Sequence, residues 1–94
     1  YSREEHHYFL ADLYEQRNDY AIAEQHYRIL IPMQKGFIGP YKHLWQLLEK
    51  IGRYNDAEAV LFQYRFENNR QGANELNAFY RRVTVHFPMM ATGN

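Results

Sequence analysis

Ninety-four residues make one small domain with a modest core, and the 17% aromatic content argues against a disordered chain. Eleven basic residues balance eleven acidic ones, so the chain lacks the positive field of a protein that grips nucleic acid through its phosphates. No cysteine is present, which excludes disulfides and thiolate metal sites, and no apolar run approaches the ~20 residues of a membrane span. The chain opens on Tyr1 rather than Met and is read as a fragment of a longer protein or a processed product.

Ser2-Arg3-Glu4-Glu5 has the form of a capping box: the Ser2 hydroxyl accepts from the Glu5 amide while Glu5 reaches back to the amide of Ser2. Apolar residues follow at helical spacing at Phe9, Leu10, Leu13 and Tyr14, so a first helix is expected from Ser2 to about Gln16. Arg17-Asn18-Asp19 is a polar turn in which Asn18 or Asp19 caps the next helix. That second helix carries a stripe of Ile22, Ala23, Tyr27, Leu30 and Ile31 and is limited by Pro32, with a loop from Met33 to Gly39.

Pro40 suits the first position of a third helix, whose stripe is Tyr41, Leu44, Trp45, Leu47, Leu48 and Ile51 and which Gly52 ends. A fourth helix is expected from about Asn55 to Asn68. A fifth, with Leu76, Phe79, Tyr80 and Val83 apolar, runs from about Ala73 to His86. No segment alternates as a strand, and the predicted fold class is all-α.

Displacing the chain by 34 residues superposes Leu10 on Leu44, Leu13 on Leu47, Tyr14 on Leu48, Tyr20 on Tyr54, Ala23 on Ala57 and Tyr27 on Leu61. Each unit is a helix hairpin that cannot bury its apolar faces alone and must stack on a neighbour. The spacing and these residues resemble the tetratricopeptide repeat (TPR) family. The first unit spans about 4–37 and the second about 38–71. The resemblance implies a single domain, a right-handed α-α superhelix of two stacked helix hairpins plus a C-terminal capping helix at about 73–86. It also implies that the turn tyrosines pack across each hairpin and that Ala23 and Ala57 sit where helices approach closely. The chain departs from the family pattern at Trp45, where a small residue is usual, and at Leu30 and Tyr64, which replace an alanine. Pro32 is displaced from the family's terminal proline, which the second unit lacks.

In that family the first helix of each hairpin lines a concave surface that holds a peptide or helix of a partner protein. Carried onto this chain, the surface is Tyr8, Asp12 and Glu15 in the first unit and Lys42, Gln46 and Glu49 in the second, flanked by Phe9 and His43. Each trio lies at i, i+4, i+7, one helix face. A solvated face with no ligand has the same pattern. One branch of the family clamps a terminal carboxylate with Lys, Asn and Arg, but Tyr8 and Asp12 hold two of those places here, so that specificity is not expected.

None of His6, His7, His26, His43 and His86 forms an HxxxH pair on one helix face, and no nucleophile-and-base motif occurs. The expectation is a non-enzymatic protein-interaction scaffold with no metal, no cofactor, no catalytic residue, no nucleic-acid partner and no membrane span. Two alternatives stand beside it. "LLEKIGRYNDAEAVL" and "MQKGFIGPY" are similar to the pentatricopeptide family of RNA-binding helix hairpins, against which stand the 34-residue unit and the neutral charge. The chain could also be an accessory domain of a larger enzyme.

Overall fold

Ser2 starts the structure much as its sequence suggests. In the computed structural model, which describes residues 2–84, its Oγ accepts from the Glu5 amide at 3.1 Å. The return contact differs from the expected box. The Glu5 carboxylate accepts from the Ser2 hydroxyl at 3.2 Å rather than from the Ser2 amide, so one side chain satisfies both bonds. Glu4 and Glu5 also place negative charge on the first turn, where the helix dipole favours it.

Five helices follow: α1 (Arg3–Gln16), α2 (Tyr20–Met33), α3 (Ile38–Lys50), α4 (Tyr54–Glu67) and α5 (Asn69–Val83). No strand occurs among the described residues. Three boundaries differ from the sequence expectation. Pro32 lies inside the last turn of α2 instead of ending it, and Gly39 and Pro40 lie inside α3, which begins at Ile38. A proline near a helix start loses only an amide that has no helical partner. The third difference is α5, which begins at Asn69 because the Asn68 side chain caps it by accepting from the Gln71 amide at 3.3 Å. The expected end of this helix at His86 lies outside the described residues.

The two hairpin turns repeat in detail. Asn18 (φ 62°) and Gly52 (φ 82°) both adopt the left-handed conformation, 34 residues apart. The Asp19 amide reaches the Tyr14 carbonyl at 2.8 Å, and the Arg53 amide reaches the Leu48 carbonyl at 2.8 Å. The Asn18 and Gly52 amides bond to the Glu15 and Glu49 carbonyls, both at 3.0 Å. This is the Schellman arrangement, which uses carbonyls that a helix end otherwise leaves unpaired. Asp19 is the N-cap of α2, but no side chain caps there. Asn18 accepts from the Tyr20 hydroxyl instead, at 2.8 Å.

Among the described residues each helix packs against its neighbours in the chain and no other pair of helices approaches closely along the backbone. Short turns make consecutive helices antiparallel, so α1, α3 and α5 run parallel. The Cα atoms fill a slab of 44 × 29 × 14 Å. The core lies between α2, α3 and α4 and holds Leu30, Leu44, Trp45, Leu47, Leu48, Leu61 and Tyr64, with Phe79 and Val83 added from α5. Ala23 and Ala57 are fully buried, and Tyr20 and Tyr54 pack on the core's edge. Trp45 and Tyr64, two of the departures from the family pattern, meet ring to ring at 5.8 Å. At about 1.5–3 kcal/mol for each large apolar side chain taken from water, this layer dominates the stability.

Candidate functional site

Side chains link the parallel helices where their backbones do not touch. The Tyr8 ring meets His43 edge-on at 5.5 Å, and His43 lies flat on Tyr27 at 5.4 Å with 3° between the planes. Lys50 donates to Glu15 at 3.4 Å, joining the ends of α1 and α3. Arg82 on α5 grips both Glu49 carboxylate oxygens, at 3.0 and 2.9 Å, joining α3 to α5. Glu15 and Glu49 are equivalent by the 34-residue displacement, and each holds a cation on the next parallel helix. A second equivalent pair is engaged differently: Glu24 on α2 accepts from Arg53 at the start of α4 at 2.5 Å, whereas Glu58 on α4 accepts from the neutral Tyr80 hydroxyl of the adjoining α5 at 2.5 Å.

The six residues named for the partner surface therefore divide into two groups. Tyr8, Glu15 and Glu49 act as internal braces. The Tyr8 hydroxyl donates to Gln34 at 2.9 Å, and Glu15 also accepts from the Tyr27 hydroxyl at 3.0 Å. Asp12, Lys42 and Gln46 are exposed. Asp12 accepts from Gln16 at 2.8 Å on its own helix, while Lys42 and Gln46 have no hydrogen bond or ion pair among the described residues. Phe9, beside Asp12 on α1, is 64% exposed.

The tyrosine hydroxyls of this region are donors and not bases. Burial raises Tyr8 above the ordinary phenol range. Burial, reinforced by the Glu15 carboxylate, raises Tyr27 much further, and burial with Glu58 pushes Tyr80 up to about 12. All three remain protonated at neutral pH.

Two features were not legible from spacing along one helix. His7 on α1 and His26 on α2 meet across the first hairpin with their Nδ1 atoms 2.9 Å apart. Burial first, then the neighbouring His7 and His6, lowers His26 below the ordinary imidazole value. No spacing signal marked the pair, since His7 lies ten residues before Arg17 and His26 seven after Asp19. The other feature is an open groove of about 460 Å³ lined by Phe62, Arg65, Phe66 and Asn69. It lies away from the α1 and α3 surface, and its Phe66 is 91% exposed. The residues 34 positions before Phe62 and Phe66 are Arg28 and Pro32, so the groove belongs to one unit only.

Among the described residues no group of three or more His, Asp, Glu or Cys side chains is arranged to hold a metal. No described helix is long and apolar enough to cross a membrane. No protein-family model, curated protein or solved structure matches the chain.

Proposed function

We propose that this chain is a non-enzymatic protein-interaction scaffold of the tetratricopeptide kind. Its hairpins α1–α2 and α3–α4 stack in a right-handed superhelix, α5 caps the second, and a peptide or helix of a partner lies across α1 and α3. Support comes chiefly from the ties at 33- and 35-residue spacing, Glu49 to Arg82 and Glu15 to Lys50, which hold three parallel helices side by side. On the N-terminal side of those ties, Phe9 and Asp12 are exposed on α1 and Lys42 and Gln46 on α3. Phe9 supplies a rigid apolar contact, and Asp12 accepts from a basic side chain. The partner is a segment with an apolar anchor and a basic residue. Two units offer a short groove, so binding is on the order of micromolar.

Amide shifts during titration with hits from a peptide library test this. Shifts are expected on α1 and α3 around Phe9, Asp12, Lys42 and Gln46, with at least tenfold weaker binding for Phe9→Ala combined with Asp12→Arg. Shifts confined to α2 and α4, around His26, Gln63 or Phe66, would move the interaction to the other side of the slab and overturn the proposal. Salt-sensitive binding of single-stranded RNA in place of any peptide would also overturn it.

A further inference from the structure

We infer that His7 and His26 form a two-histidine chelate for a divalent transition metal that prefers right-angled coordination, copper(II) foremost and then nickel(II). The inference is independent of the partner surface. The two Nδ1 atoms are 2.9 Å apart. Nitrogen ligands sit about 2.0–2.1 Å from such an ion, so a shared ion would subtend an angle of about 90° between them. That is the angle of square-planar and octahedral sites, the geometries typical of copper(II) and nickel(II). A tetrahedral zinc site would need the nitrogens roughly 3.3 Å apart for the same bond lengths.

The surroundings suit ligation. His26 is stacked on the Tyr14 ring at 6.2 Å with 9° between planes, and His6 lies edge-on to His7 at 6.1 Å. Both His7 and His26 are half-buried, so an ion can reach the rings from solvent and each ring keeps room to pivot. The repeat provides an internal control. The equivalent positions in the second hairpin are Tyr41 and Val60, both buried. The hairpin architecture therefore does not require polar side chains at these two places.

In the metal-free pair of neutral imidazoles, one Nδ1–H donates to the other Nδ1. To bind an ion, the donor ring moves that proton to its own Nε2 through solvent, and each ring pivots about its Nδ1 by roughly 45°, which keeps the two nitrogens 2.9 Å apart while their lone pairs converge on the ion. No net proton is released when both rings begin neutral. When the pair begins with an extra proton, one proton leaves for each ion bound. Water completes the coordination, since the described residues supply two ligands at this position.

The test is titration of the whole chain with copper(II), nickel(II) and zinc(II), followed by calorimetry and, for copper, by paramagnetic broadening of amide resonances. Broadening is expected to centre on α1 around His7 and on α2 around His26, with nickel bound at least as tightly as zinc. His7→Gln and His26→Gln should each weaken copper binding at least tenfold, and His43→Gln should leave it within twofold. Circular dichroism confirms that each variant is folded, and the broadening needs no variant at all. Broadening centred elsewhere, copper binding by His7→Gln equal to that of the parent chain, or zinc bound more tightly than nickel would each overturn the inference.

Discussion

α1 and α3 carry the same apolar pattern and bury it very differently. Leu10, Leu13 and Tyr14 are half-buried, while their counterparts Leu44, Leu47 and Leu48 are buried. Ala11 is the one fully buried side chain of α1, whereas α3 buries Pro40, Tyr41, Leu44, Trp45, Leu47 and Leu48. The reason is neighbours. Among the described residues α3 packs along its backbone against both α2 and α4, whereas α1 packs so against α2 and meets α3 only through side chains such as Tyr8 and Glu15. In a linear array, the repeat decides which side chains are apolar, and the adjoining helices decide how much stability each contributes.

The largest effect should come from cutting the same side chain in each unit. Leu44→Ala is expected to cost about 2–5 kcal/mol, and Leu10→Ala roughly 1–2 kcal/mol, because a half-buried site loses less burial and leaves no closed cavity. Thermal or urea unfolding measures both. Equal losses would mean that α1 is covered as fully as α3.

The glycines near the starts of α3 and α5 make a second pair. A methyl at Gly72 would lie 2.3 Å from the Arg65 Cα, whereas at Gly39 it would meet only the Tyr8 hydroxyl oxygen at 2.9 Å. Gly72→Ala should destabilise by about 1–3 kcal/mol, since backbone must move. Gly39→Ala should fall within about 1 kcal/mol of neutral, because the tyrosine tip can shift and alanine favours the helix. A neutral Gly72→Ala in the same unfolding measurement would show that α4 and α5 are free to separate.

The smallest expected effect is electrostatic. Burial raises the Glu24 carboxyl, but the bonds from Arg53 and Arg28 outweigh it and hold the group below the ordinary 4.5. A lowered carboxyl contributes stability that is present above pH 4.5 and is lost as the pH falls through its folded value. Glu24→Gln should therefore cost about 1 kcal/mol at neutral pH, a modest amount because Arg53 is 43% exposed and screened. The difference from the parent chain should shrink in acid. Glu58→Gln should cost less, since its partner is the neutral Tyr80 hydroxyl. A Glu24→Gln penalty independent of pH would point to packing and not to charge.

Much of the helical layout was legible because its signals are local. Asn18 and Gly52 mark the hairpin turns through their backbone freedom, and Ser2 marks the first cap through its own hydroxyl. The start of α5 was not legible because Gly72 reads as a helix breaker in isolation. In the fold it is the residue whose missing side chain lets α5 approach Arg65. Of the surface residues, Asp12, Lys42 and Gln46 lie exposed as a helix-face pattern suggests. The bracing of Tyr8, Glu15 and Glu49 depends on partners 12 to 35 residues away and beyond each residue's own helix, which spacing within one helix does not register. The His7–His26 pair escaped the same way, since its register is set by the turn between two helices.

Packing restricted to chain neighbours also shapes how the protein folds and opens. Each helix finds its contacts by closing a short loop, so no step must gather distant segments at a large entropic cost, and folding belongs to the fast, low-contact-order regime. The same linearity lets the structure come apart in stages. α1 has the least to lose and should detach before α3 does, exposing its amides to hydrogen exchange while α2, α3 and α4 stay folded. An ion bridging α1 to α2 at His7 and His26 would clamp the helix that buries least to its neighbour, so that metal binding would slow exchange in the first hairpin far more than in the second.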